Sequence, residues 1–205
     1  MFPTAEVRWF WQGDAPDAAL TWLGAQDGEA LSEETRTDHY LRIDATDTLG
    51  VKLREGHLEL KQRTEPPRPR RLTDQVHGLT ERWAKWSFGL AREHPVLRQL
   101  VASQAWLGVS KRRWLKEYQI TASGSISPRQ ADGNPAGVCG LEITQVTVSN
   151  AAPTRWWTLG LEASGDEEML TETLYRTAGV LLAIPFPAAM TTENSYSYPQ
   201  WLHLL

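Results

Sequence analysis

Apolar and polar residues alternate along most of the chain, and a period of two predicts strands. Residues 6–11 read Glu-Val-Arg-Trp-Phe-Trp, a strand near the start. Residues 39–43, 49–54, 57–63, 81–88, 106–121, 138–148 and 155–163 predict further strands. In 57–63, Leu58 and Leu60 point one way while Glu59, Lys61 and Arg63 point the other. Glu55-Gly56 between two such segments predicts a two-residue hairpin turn. Pro66-Pro67-Arg68-Pro69-Arg70-Arg71 cannot be a central strand and is expected as an exposed basic loop. A turn-rich loop is expected over 124–137, and a turn around Asn150 and Pro153.

Helical spacing is rarer. Residues 14–24 predict a short helix, with Asp14 as a capping candidate, Pro16 early, Ala19, Leu20 and Leu23 on one side, and Gly24 at the end. Residues 95–103 place Leu97, Leu100 and Val101 at helical spacing. Ser164-Gly165-Asp166-Glu167 has the form of a capping box, followed by Leu170, Leu174, Ala178, Leu181 and Leu182 on one face and a stop at Pro185. About eight strands and a few peripheral helices predict an α+β chain, mainly antiparallel β, whose sheet is large enough to close into a barrel.

Composition narrows the possibilities. The chain has 205 residues, which suits one domain over 1–205. A net charge of −4 argues against a general nucleic-acid binder, so no nucleic-acid partner is expected. Cys139 is the only cysteine, which excludes an intrachain disulfide and a cysteine-built zinc site, and its apolar strand context reads as core rather than nucleophile. The five histidines are scattered, and no phosphate loop, dinucleotide fingerprint or nucleophile elbow is present. The N-terminus lacks the form of a secretory signal, and the most apolar stretch, 178–190, is short and broken by Pro185 and Pro187. A soluble, cytoplasmic protein without membrane contact is the expectation.

Two biases remain, 10 Trp and an excess of arginine over lysine. Arginine suits bidentate recognition of phosphate and carboxylate, and a GC-rich genome accounts for it equally well. More telling is the number of strands that carry cations. Lys52 and Arg54 share a face, as do Lys61 and Arg63, and as do Lys111 and Arg113, with Arg112 and Lys116 on the opposite face. Acids fall on other strands, at Glu6, Glu142 and Glu162. In a closed barrel every second residue points inward, so these groups either converge on one lumen or face water as weak surface pairs. In a lumen, each like-charge pair at ~4 Å costs about 4 kcal/mol at an effective dielectric of ~20, unless a polyanion or interleaved carboxylates offset it.

The order of segments resembles the CYTH superfamily, the triphosphate tunnel metalloenzymes, almost from end to end. Glu6-Val7-Arg8 resembles the opening acidic strand, and Leu49-Gly50-Val51-Lys52-Leu53-Arg54-Glu55-Gly56 the Leu-Arg-x-Arg strand and turn. Leu58-Glu59-Leu60-Lys61-Gln62-Arg63 resembles the next lysine strand, and Lys111-Arg112-Arg113 the arginine strand of the second half. Val138-Cys139-Gly140-Leu141-Glu142-Ile143 resembles the strand supplying a metal-side acid, and Trp157-Thr158-Leu159-Gly160-Leu161-Glu162 the Glu-x-Glu strand. Ser195-Tyr196-Ser197 resembles the closing Ser-Tyr segment.

The resemblance implies an eight-stranded tunnel in which basic side chains clamp a triphosphate and carboxylates hold Mg²⁺ or Mn²⁺. By correspondence, Lys52, Arg54, Lys61, Arg63 and Arg113 would contact phosphate, and Glu6, Glu142 and Glu162 would hold metal. Two departures matter. The opening Glu-x-Glu-x-Lys reads Glu6, Arg8 and Phe10, and the first acid of the later Glu-x-Glu is Gly160. Arg8 adds a phosphate-binding candidate and favours anion binding without metal. Three readings follow. The first is a diverged tunnel that binds a polyphosphorylated small molecule or inorganic polyphosphate, with residual triphosphatase activity. The second is a full metal-dependent triphosphatase that uses Asp44 and Asp47, Glu59 or Glu117. The third is a non-catalytic interaction module presenting its tryptophans. No catalytic residue is assigned, and no oligomeric state.

Overall fold

The computed structural model describes residues 1–28, 31–90, 103, 105–131, 135–149 and 154–205. Among these described residues, ten strands and three α-helices follow in chain order. The strands are β1 (Phe2–Gln12), β2 (Ser32–Leu41), β3 (Leu49–Arg54), β4 (His57–Arg63), β5 (Arg68–Arg71), β6 (His77–Gly89), β7 (Trp106–Ile120), β8 (Ile126–Pro128), β9 (Gly137–Ser149) and β10 (Thr154–Gly165). The helices are α1 (Asp17–Gly24), α2 (Leu170–Leu181) and α3 (Tyr198–Leu202). Eight strands pair in the order β1-β10-β9-β7-β2-β3-β4-β6, and β6 pairs back onto β1. Every pairing is antiparallel, so the sheet closes into an eight-stranded barrel. The short β5 and β8 lie beside the ring, on β6 and β7.

The barrel turns its apolar faces outward on one side. Val7 and Trp9 of β1, Leu141 and Ile143 of β9, and Leu159 and Leu161 of β10 pack beneath α1 and α2, which supply Ala19, Leu23, Leu170, Leu174 and Ala178. Cys139 belongs to this layer, and burial pushes its thiol up to about 12. A second cluster closes one end of the barrel. Phe10, Tyr40, Val109, Val146 and Val148 meet Trp201 and Leu202 of α3, with Phe10 and Trp201 stacked at 5.1 Å. The segment before α3 is tied to β1, where Ser195 pairs with Trp9 and its hydroxyl donates to the Arg8 carbonyl. None of the ten tryptophans is exposed; they are core and wall residues rather than a presented surface. Among the described residues no helix is long and apolar enough to cross a membrane.

Strands β3 and β4 have the bounds their alternation predicts. The turn between them places Glu55 at φ 48° and Gly56 at φ 81°, the two left-handed residues of a type I′ hairpin. Other expectations need correction. Strand β1 starts at Phe2, β2 runs ten residues from Ser32, and β6 starts at His77. The basic segment expected as a loop forms β5, an exposed four-residue strand at a sheet edge, where Pro69 is tolerated. Part of the loop expected over 124–137 forms β8. Helix α1 begins at Asp17 after Pro16, and Asp14 pairs with Arg155 instead of capping it. The capping box at 164–167 does not form. Ser164 and Gly165 stay in β10, and the Asp166 amide donates to the Ala136 carbonyl. Helix α2 ends at Leu181, before Pro185. Residues 95–102 of the expected helical segment, and the turn at Asn150 and Pro153, lie outside the described residues.

Gly78 marks a place where the outer layer is fully packed. A Cβ there would stand 2.7 Å from both Trp9 Cζ2 and Val7 Cγ2. The indole cannot swing aside freely, because Trp9 Nε1 donates to the His77 carbonyl at 2.8 Å. Gly78→Ala is expected to destabilise the fold by about 1–3 kcal/mol, the cost of overpacking a filled site, read as a lower urea midpoint at unchanged slope.

Candidate functional site

Inside the barrel the alternation places charge. The inward positions are Glu6 and Arg8 on β1, Arg36, Asp38 and Tyr40 on β2, Lys52 and Arg54 on β3, and Glu59 and Lys61 on β4. Lys85 on β6, Lys111 and Arg113 on β7, Glu142 on β9 and Glu162 on β10 complete the wall. All but Asp38, which is fully buried behind the wall, line one cavity of about 310 Å³. That is the small end of the range for small-molecule pockets. Tyr198 and Pro199 of α3 form part of the lining. Eight basic side chains face four carboxylates there, although the chain as a whole carries −4. A groove of about 810 Å³ outside the barrel, between residues 72–76 and 182–190, has Asp74 as its one charged residue.

Three buried carboxylates act as hubs between the cations, and the more exposed Glu34 joins Arg36 to Arg113, the latter at 2.6 Å. Asp38 Oδ2 lies 2.9 Å from Lys111 Nζ and 3.6 Å from Lys52 Nζ, and Asp38 Oδ1 lies 3.2 Å from Arg36 Nε. Tyr40 donates to Asp38 at 3.3 Å and accepts from Lys111 at 2.6 Å. Glu59 faces Arg54, Lys52 and Lys85 at 3.0, 3.2 and 3.5 Å. Glu142 bridges Arg8 at 2.7 Å and Arg113 at 3.3 Å. Lys61 reverses the pattern, one cation between Glu6 and Glu162.

Titration follows from these contacts. Burial opposes the Asp38 and Glu142 charges, yet Lys111 and Lys52 hold Asp38 well below the carboxylate range, and Arg8 and Arg113 hold Glu142 down at about 2. Burial lowers Lys52 and Lys111 to about 8, against the pull of Asp38. Lys61 goes up, because Glu162 and Glu6 outweigh its burial. Below the cavity, burial and the neighbouring Glu6 push Glu81 up to about 7, although Arg63 stands 2.9 Å away.

Of the phosphate-binding candidates, Arg8, Lys52, Arg54, Lys61 and Arg113 line the cavity. Arg63 turns inward but is not part of the lining. Glu81, Asp47 and Ser197 hold its guanidinium, which lies 5.1 Å from the Trp83 ring. Glu6, Glu142 and Glu162 line the same cavity, but each is engaged by a cation of the chain. Among the described residues no three carboxylate, imidazole or thiolate side chains stand together as metal ligands. The donor set therefore does not fit a Mg²⁺ or Mn²⁺ centre, whose carboxylates must turn toward a shared ion. Of the alternative acids, Glu59 is in the cavity, Asp47 pairs with Arg63, Glu117 pairs with Arg129 outside, and Asp44 is exposed. Lys111 shares the face expected from its spacing. Arg36, Asp38, Tyr40 and Lys85 went unnoticed, although Arg36, Asp38 and Tyr40 recur at every second position.

Comparison with known proteins adds little. No family model matches the chain, and no curated protein matches it. A conserved hypothetical protein from Pyrococcus furiosus aligns at 12% identity and TM-score 0.49, covering 96% of this chain and 98% of its own. A Bacillus halodurans protein proposed to be an adenylate cyclase aligns at 16% identity and TM-score 0.35, covering 95% and 96%. Both likenesses are too weak to bear on function, and the fold rests on the strand pairings themselves.

Asp38 is the most deeply buried of the hubs and takes three of the eight cations. Asp38→Asn removes the anion that Lys111, Lys52 and Arg36 share; Lys52 keeps Glu59 and Arg36 keeps Glu34, but Lys111 is left without an ion-pair partner among the described residues. Breaking a buried ion pair from one side costs about 3–5 kcal/mol. A loss of that size is expected in urea denaturation at neutral pH, and a loss under about 1 kcal/mol would contradict the hub role.

Proposed function

We propose that the tunnel binds a polyphosphorylated small molecule or inorganic polyphosphate, held by the basic side chains of the barrel wall. The observation that carries this reading is the convergence of eight cations from six strands on one cavity lined by four carboxylates. The surplus positive charge is confined, partly buried, and set in a chain of net negative charge, so it attracts a small anion rather than a nucleic-acid surface. Arginines at three positions around the ring (Arg8, Arg54 and Arg113) supply paired N–H groups for phosphate oxygens, and Lys52, Lys85 and Lys111 supply point charges. The ordered resemblance to triphosphate tunnel proteins supports the same ligand class. Hydrolysis through a divalent metal is not part of the reading, because Glu6, Glu142 and Glu162 are turned toward Lys61, Arg8 and Arg113.

Tripolyphosphate is expected to raise the melting temperature. At ~100 times its dissociation constant a ligand adds about 2.7 kcal/mol of stability. The shift should shrink in Arg113→Gln and Lys85→Gln. No shift with tripolyphosphate, thiamine triphosphate, ATP or longer polyphosphate would remove the reading.

The lowered lysines give the binding a pH dependence. Lys52 and Lys111, at about 8 in the free protein, are charged at pH 7 and largely neutral at pH 9. A bound polyanion favours their charged forms, so binding takes up protons and affinity falls as pH rises through 8. Titration calorimetry with trimetaphosphate, whose own charge is constant in this range, should show weaker binding at pH 9 than at pH 7. Affinity that is flat or rising across that interval would speak against these two lysines as contacts.

A further inference from the structure

Arg8, Gly160 and Glu142 lie in one row across β1, β10 and β9, each the register partner of the next. Gly160 has no side chain, and the Arg8 side chain occupies the space a side chain there would need. A Cβ at 160 would stand 2.5 Å from Arg8 Cζ, 2.6 Å from Nη2 and 2.7 Å from Nη1. Passing over Gly160, the Arg8 guanidinium reaches Glu142 at 2.7 Å and donates to Thr158 Oγ1 at 3.0 Å. The Tyr198 ring lies 5.1 Å away on the α3 side. The seat is closed by neighbours on several sides, and Arg8 still borders the cavity.

We infer that Arg8, seated over Gly160, is a permanent internal cation that stands where a divalent metal would otherwise be needed, so that the tunnel binds its polyanion without metal. This rests on the polyanion reading above and deepens it. A guanidinium keeps its charge at any ordinary pH. Burial weighs against that charge, but Glu142, Tyr198 and Glu6 hold it in place. Glu142 is committed on both oxygens, one to Arg8 and one to Arg113. The remaining pair, Glu6 and Glu162, closes on Lys61. A divalent ion entering these acids would have to displace cations tethered to the wall, and would feel their repulsion at short range. The anion meets the opposite situation: Arg113 also pairs with Glu34 at 2.6 Å, but the lining as a whole sets eight basic side chains against four carboxylates and leaves positive charge for phosphate oxygens.

The test is calorimetric titration of the full chain with tripolyphosphate, in EDTA and in excess Mg²⁺. Binding in EDTA at least as tight as in Mg²⁺ is expected, because Mg²⁺ sequesters the free anion. Binding that appears only with Mg²⁺ or Mn²⁺ overturns the inference while leaving the polyanion reading intact. No binding under either condition overturns that reading first. Arg8→Gln, checked for its fold by circular dichroism, is expected to bind about tenfold or more weakly in EDTA. Unchanged affinity in that variant counts against Arg8, whereas recovery of binding with Mg²⁺ supports the inference, since the ion would then take the place Arg8 has left beside Glu142. Gly160→Ala provides a second variant, keeping the charge but forcing it off its seat, and is expected to weaken binding in EDTA as well. The wild-type comparison decides the point even where a variant does not fold.

Discussion

Like charges enclosed in a closed barrel repel one another with little water to screen them, and the rest of this structure is arranged around that constraint. Cations stand on β1, β2, β3, β4, β6 and β7, and all turn inward. Left alone they would open the ring. Asp38, Glu59 and Glu142 prevent this by each taking two or three cations, and Asp38 and Glu142 bridge strands distant in sequence. Glu142 of β9 reaches Arg8 of β1 and Arg113 of β7, and Asp38 of β2 reaches Lys52 of β3 and Lys111 of β7. The hubs are thus cross-links as well as counter-charges. They do not complete the neutralisation, and that residue of positive charge is what an anion would find.

A charged lumen forces the hydrophobic core elsewhere. Small closed barrels commonly fill their interior with apolar side chains, but here Val7, Leu141, Ile143, Leu159 and Leu161 look outward and need cover. Helices α1 and α2 supply it on one side. At the end of the tunnel the C-terminal segment does a related task. Tyr198 stacks on Tyr40 at 5.7 Å and lies beneath Lys111, whose Nζ is 3.9 Å from its ring, while Trp201 stacks on Phe10. This aromatic plug removes water from one end of the cavity. Burial of this kind lowers Lys52 and Lys111, and it strengthens any contact they make to an anion. Core placement, plug and lysine chemistry therefore have a common origin.

How much of this can be read in the sequence depends on which face of a strand is apolar. Strands β3 and β4 keep Leu53, Leu58 and Leu60 opposite their cations, and their bounds and turn were legible. Most of β2 was not, because Ser-Glu-Glu-Thr-Arg-Thr-Asp offers no apolar face to mark the period. Its inward Arg36 and Asp38 belong to the lumen, and Thr35 and Thr37 point away. The same blindness hid Arg36 as a cavity residue. Arg63 shows a different limit. Spacing fixes its face, but only the fold reveals that Glu81 and Asp47 hold it below the cavity. The motif at 164–167 has the residues of a capping box, yet strand pairing of β10 with β9 runs through Gly165 and claims them first.

The two departures at Arg8 and Gly160 look like independent losses when each is read along its own strand. Across the sheet they are one event. With any side chain at 160, the Arg8 guanidinium would have no place to lie, and it would not reach Glu142. With a short or acidic residue at 8, Gly160 would leave a gap in the wall and Glu142 would lose its nearer cation. An acid missing from one strand and a cation gained on its neighbour thus form a complementary pair, in shape as well as in charge. Arg8 and Gly160 are register partners 152 positions apart in the chain, so their complementarity exists only once β1 and β10 pair. That pairing is itself part of the ring closure that confines the charge.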